Sequence, residues 1–115
     1  MISRHDRGRI VVGPGAYPHS VVVPWVGEVS VWPVATFEEL TAAHFEQLVA
    51  LQPELVIFGS GSRLRFAPPA LLRPLIERRI GVECMDTAAA CRTYNVLVSE
   101  RRSVVAALIV DAMEG

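Results

Sequence analysis

The chain is 115 residues long, 51% hydrophobic and 20% charged, with a formal net charge of −1. That length builds one domain around a single core, and the composition is that of a folded globular chain, not a disordered one. The near-zero charge gives no overall attraction to nucleic acid or to an anionic membrane, so neither is an expected partner.

Every one of the 11 basic residues is Arg, and Lys is absent. Most Arg on a small domain serve a solvated face, although their planar forks also suit carboxylates and phosphates. Met1 to Arg9 carries three Arg and a His but no apolar core of about 7–15 residues, so it does not read as a secretory signal. Asp6 and the immediate onset of strand-like sequence argue against a cleavable import sequence. No apolar run approaches the ~20 residues that span a bilayer.

Strands dominate the first third. Ile10-Val11-Val12 closes at Gly13-Pro14-Gly15; Val21-Val22-Val23 precedes Pro24-Trp25; Val29-Ser30-Val31-Trp32 alternates with period two. Pro24 and Pro33 belong at strand ends or edges, where a missing amide hydrogen does no harm. Trp25 and Trp32 beside these prolines suit either the core or a protein interface.

From Thr41 to Leu51 the period becomes helical, with Phe45, Leu48 and Val49 on one side, Thr41 as cap and Pro53 as stop. Leu55-Val56-Ile57-Phe58 is a continuous branched run suited to a strand covered on both faces. A second helix begins near Pro68-Pro69 and carries Leu71, Leu72, Leu75, Ile76 and Ile80 on its apolar stripe. Pro74 inside it implies a kink or a start later than Pro69. Gly81 to Met85 is a strand, Asp86 or Thr87 caps a third helix running to about Val98, and Val104 to Val110 is the last strand. The sum is one compact α/β (α+β-like) domain over residues 1–115, with its core over about 10–110. It has a mixed β-sheet and about three packed helices. The carboxyl ends of the strands at Leu55 and Val82 lie side by side, so the Gly59–Ser62 loop meets the Asp86-Thr87 turn at one edge of the sheet.

That edge holds the candidate site. Gly59-Ser60-Gly61-Ser62 is either a structural turn or an anion-binding loop; it lacks a Walker Lys and the three-glycine dinucleotide pattern. Asp86 and Thr87 read first as a helix cap. Arg92, Thr93, Tyr94 and Asn95 sweep most of a helix circumference at about 100° per residue. Arg92 and Asn95 share a face, which suits a carboxylate, a phosphate or an internal hydrogen-bond network, while Tyr94 packs inward. Cys91 beside Arg92 is either an inert core thiol or a nucleophile with a lowered pKa. His5, His19 and His44 are scattered and no acidic pair is evident, so no metal, cofactor or catalytic residue is expected. Cys84 and Cys91 are too few for a disulfide scaffold, which points to a reducing, cytoplasmic setting.

The runs Leu55-Val56-Ile57-Phe58-Gly59-Ser60-Gly61-Ser62 and Val82-Glu83-Cys84-Met85-Asp86-Thr87-Ala88-Ala89-Ala90-Cys91-Arg92-Thr93-Tyr94-Asn95 resemble the family known as domain of unknown function 498. That family includes relatives of mitochondrial complex I assembly factor 3, and the resemblance covers roughly Ile10 to Val110. Ser60 stands where the family commonly has Thr, and Pro74 departs from its pattern. The resemblance implies a compact α/β fold, no established reaction, and a role through protein–protein contact. The leading expectation is therefore a non-enzymatic interaction or assembly-type protein with a protein partner. The rival is a small anionic-ligand binder or cryptic enzyme using the Gly59–Ser62 loop and Arg92.

Overall fold

The computed structural model describes residues 1–6 and 8–110. Arg7, in the Arg-rich start, and residues 111–115, at the end of the expected domain, lie outside the described residues. In chain order the elements are β1 (Ile2–Asp6), β2 (Arg9–Val12), β3 (Gly15–Tyr17), β4 (Val21–Val23), β5 (Ser30–Val31), α1 (Ala42–Val49), β6 (Leu55–Gly59), α2 (Pro69–Ile76), β7 (Gly81–Met85), α3 (Thr87–Ser99) and β8 (Val104–Leu108). A single 3₁₀ turn, Phe37–Glu39, precedes α1.

The larger sheet runs β5-β4-β8-β6-β7. Its β6 pairs in parallel with both β7 and β8, while β4 pairs antiparallel with β5 and β8. It is the mixed sheet that the strand and helix order implies. All five residues of the central β8 are buried, as a strand covered on both faces requires.

Alternation along the strands sorts side chains into two cores. Val22, Val56, Phe58, Val105 and Ala107 face Phe45 and Leu48 of α1 and Leu75 of α2. Trp32 belongs to this core: it is 1% exposed, edge-on to Phe45 and Phe58, and its Nε1–H donates to the His44 carbonyl at 3.0 Å. Trp25 is half-buried against the same core. On the opposite face Val21, Val23, Ile57, Val104, Ala106 and Leu108 meet Ala90, Cys91 and Tyr94 of α3, with Ile2 and Ile10. Burying each large apolar side chain stabilises the fold by roughly 1.5–3 kcal/mol.

The sequence did not announce β1 and β3. They pair with β2 in a separate antiparallel sheet, order β1-β2-β3. β1 reads Ile-Ser-Arg-His-Asp, with one apolar residue and thus no periodic signal. Ile2 is nevertheless 3% exposed, so the core begins well before Ile10.

Two further departures concern helix ends. α2 starts at Pro69 with Pro74 inside it, so the later start is not the solution the chain adopts. Pro74 deprives the Ala70 carbonyl of its helical donor, but Ala70 is exposed and water can replace it. Beyond each helix, Gln52, Arg79 and Arg101 take left-handed backbone conformations (φ 54°, 59° and 64°) where glycine is the usual choice.

Candidate functional site

The loop after β6 and the start of α3 do meet, stitched by backbone and hydroxyl groups. Thr87 N–H donates to the Gly61 carbonyl at 2.9 Å, and Gly61 N–H donates to Thr87 Oγ1 at 2.9 Å. Thr87 Oγ1 in turn donates to the Ile109 carbonyl at 2.7 Å, and Ile109 N–H donates to the Gly59 carbonyl at 2.9 Å. Thr87 is 1% exposed, so one hydroxyl ties the loop, α3 and the end of β8 together away from water.

Both glycines are needed here for different reasons. A Cβ on Gly59 would fall 2.9 Å from Leu108 Cδ2 and 3.1 Å from Thr87 Cα, so the residue permits close approach of α3. Gly61 has φ +108°, a region that side chains strongly disfavour.

Ser60, 2% exposed, is equally committed. Its N–H donates to the Met85 carbonyl at 2.9 Å. Its hydroxyl donates to the Arg63 carbonyl at 2.8 Å, with the Met85 carbonyl at 3.2 Å, and accepts from Arg65 N–H at 2.9 Å. The Ser60 and Gly61 amides, which an anion cradle would need, are thus spent inside the protein. Ser62 is exposed.

Along α3 the polar residues separate. Asp86 is the N-cap, its Oδ1 accepting from Ala89 N–H at 2.8 Å. Tyr94 packs inward, 2% exposed, and its hydroxyl donates to the Pro24 carbonyl at 2.5 Å. Asn95 mimics a strand: Oδ1 accepts from Ile2 N–H at 2.9 Å while Nδ2 donates to the Ile2 carbonyl at 2.7 Å. Thr93 is half-buried and Arg92 exposed.

Arg92 and Asn95 line a cavity of about 190 Å³ with Ile2, Ser3, Arg4, His5, Ala88 and Cys91, none of which belongs to the glycine loop. Asn95 therefore clasps β1 and Arg92 lines the cavity beside it, while Thr87 serves the loop and Asp86 caps α3. Cys91 is buried, and burial pushes its thiol up to about 12, with the nearby Arg92 cation pulling the other way by less. That environment disfavours the thiolate that a nucleophile needs.

The segment leaving the loop, Arg63-Leu64-Arg65-Phe66, escaped the sequence reading. Leu64 is 50% and Phe66 71% exposed, and Arg65 Nη1 pairs with Glu38 Oε2 at 2.6 Å. Its one signal in the sequence is the interleaving of Arg with large apolar residues between a loop and a proline pair.

The family model described as protein of unknown function (DUF498/DUF598) matches residues 2–109. The chain belongs to this family. Among relatives, the Bos taurus NADH dehydrogenase (ubiquinone) 1 alpha subcomplex assembly factor 3 is 35% identical over 109 residues, covering 93% of this chain and 58% of that protein. The Homo sapiens protein of the same name is 37% identical over 105 residues, 89% of this chain and 53% of its own. The chain thus spans little more than half the length of these curated relatives. A crystal structure from Bordetella parapertussis matches with a TM-score of 0.90 and 38% identity, covering 96% of this chain and 94% of that one. The expected family and the α/β fold with its mixed sheet both hold.

Proposed function

We propose that this chain is a non-enzymatic protein-interaction module of the assembly-factor type, working in the cytoplasm. The observation that carries this reading is the internal commitment of the polar groups of the loop after β6 and of α3. Ser60, Thr87, Asp86, Tyr94 and Asn95 all hydrogen-bond to the protein's own backbone. A catalytic constellation needs a nucleophile, a base or an oxyanion donor aimed at open space, and these groups are engaged with backbone partners instead. The relatives named as assembly factors support the same class of role, and two free cysteines agree with a reducing compartment.

Arg92 is the exposed charged group of the candidate set and the expected point of contact. Arg92→Ala should leave the circular dichroism and melting of the chain unchanged while weakening capture of the partner that co-purifies from the native cell. Unfolding of the variant, or undiminished capture, would overturn this reading.

A second reading draws on the cavity beside β1, where Arg4, His5 and Arg92 come together. Three groups of that chemistry suit a small carboxylate or phosphate better than the glycine loop does. A ligand there would stabilise the fold by about 2.7 kcal/mol at a hundredfold excess over its dissociation constant. A phosphate and carboxylate panel without any melting shift would exclude it.

A further inference from the structure

Exposed apolar side chains scattered singly over a surface need no explanation, and Val26, Val31, Leu51, Ile76 and Val96 are of that kind. Leu64 and Phe66 differ from them in how their backbone is held. The buried Ser60 hydroxyl accepts from Arg65 N–H at 2.9 Å and donates to the Arg63 carbonyl at 2.8 Å, gripping the segment on both sides of Leu64. Arg65 adds a second anchor: its guanidinium pairs with Glu38 at 2.6 Å and lies over the Phe37 ring, 5.1 Å from its centroid. A segment with no regular secondary structure is thus fastened by a hydroxyl, an ion pair and a cation–π contact. Such fastening lowers the ordering cost of presenting exposed side chains to a partner.

We propose that Arg63-Leu64-Arg65-Phe66 is a docking surface for an apolar, acidic segment of a partner protein. This rests on the interaction reading above and gives it a second, separate place on the molecule. Phe66, 71% exposed, and Leu64, 50% exposed, supply the apolar anchors. Charge decides the partner's chemistry. Glu38 pairs with Arg65 and its carboxylate also feels the exposed Arg63, so two arginines stand against one carboxylate and the patch keeps an excess of positive charge. A second copy of this chain would bring the same excess charge against itself in a two-fold contact, so it is a poor occupant. An anionic bilayer is bound by clusters of about 4–8 basic residues, and one uncompensated Arg falls far short.

The test uses the purified chain against arrays of short synthetic peptides combining Leu and Phe with Asp and Glu, beside a matched set carrying Lys instead. Wild type should retain the acidic set in preference to the basic one. Phe66→Ser and Arg63→Glu should each lower retention about tenfold or more, with melting unchanged, while Ile76→Ser, a solitary exposed apolar residue, should not. Absence of retention, equal retention of the Lys set, binding only to phosphatidylglycerol vesicles, or a dimer lost in Phe66→Ser would each overturn the proposal. Co-purification separates its failure from that of the interaction reading. A native partner captured equally by wild type and Phe66→Ser removes this surface and leaves the broader reading standing, whereas no partner on wild type removes both.

Discussion

Thr87 carries more of the structure than its place at a helix start suggests. Its hydroxyl accepts from Gly61 N–H and donates to the Ile109 carbonyl, both in the interior. Thr87→Val keeps the shape and strands both backbone groups, so it should cost about 2–3 kcal/mol in chemical denaturation, whereas Thr87→Ser should stay near wild type. A loss under about 0.5 kcal/mol would mean the stitch contributes little. Half of this was legible in the sequence. The meeting of Gly59–Ser62 with Asp86-Thr87 follows from two parallel strands ending together. The partners that consume the Thr87 hydroxyl, Gly61 and Ile109, are distant in the chain and leave no local pattern. The exposure of Leu64 and Phe66 was hidden for a related reason: no period marks a segment that belongs to no helix or strand.

At the level of elements, the succession β6-α2-β7-α3-β8 could be read because each piece carries its own signal: apolar runs for the strands, a cap and a helical stripe for the helices. β1 carries none, and what fixes it lies on another element. Asn95 offers Ile2 the acceptor and the donor that a neighbouring strand would offer. In sequence, Asn95 looks like half of a polar face with Arg92; in the fold it is a clasp between helix and sheet. Asn95→Ala should therefore loosen β1 before anything else. Hydrogen exchange should quicken at Ile2 and its neighbours on β1, while the amides of β6 and β8 keep their protection. Uniform acceleration across both sheets would show that the clasp is global, and no acceleration would show that β1 is held by other means.

For the molecule as a whole, α3 ties stability to alkaline pH. Burial raises the Cys91 thiol from an ordinary 9.0 to about 12 and the Tyr94 phenol from 10.0 to about 12. Above pH 9 the unfolded chain gives up protons that the folded chain keeps, so the unfolded state binds fewer and stability falls with rising pH. The contribution is full below pH 9 and is lost progressively between pH 9 and about 12. Melting temperature should drop across that window, and Cys91→Ala should flatten part of the drop; a flat profile would mean the two groups titrate alike in both states. The exposed carboxylates act at the other end. Glu54 is held low by its hydrogen bond from Ser103 N–H and by Arg102, and Glu38 by a backbone hydrogen bond and Arg65, so both favour the fold above the ordinary carboxylate range and lose that effect as pH falls below it.

The proposed recognition by another protein rests on a fold whose polar groups are spent on its own backbone, with arginines and apolar side chains left outside. Native mass spectrometry of the chain drawn gently from its own cell reads this directly, since it weighs bound proteins and bound small molecules at once. A stoichiometric protein partner, with no metabolite retained, is the predicted spectrum. A chain carrying a small anion and no protein would contradict it and make the cavity beside β1 the working site.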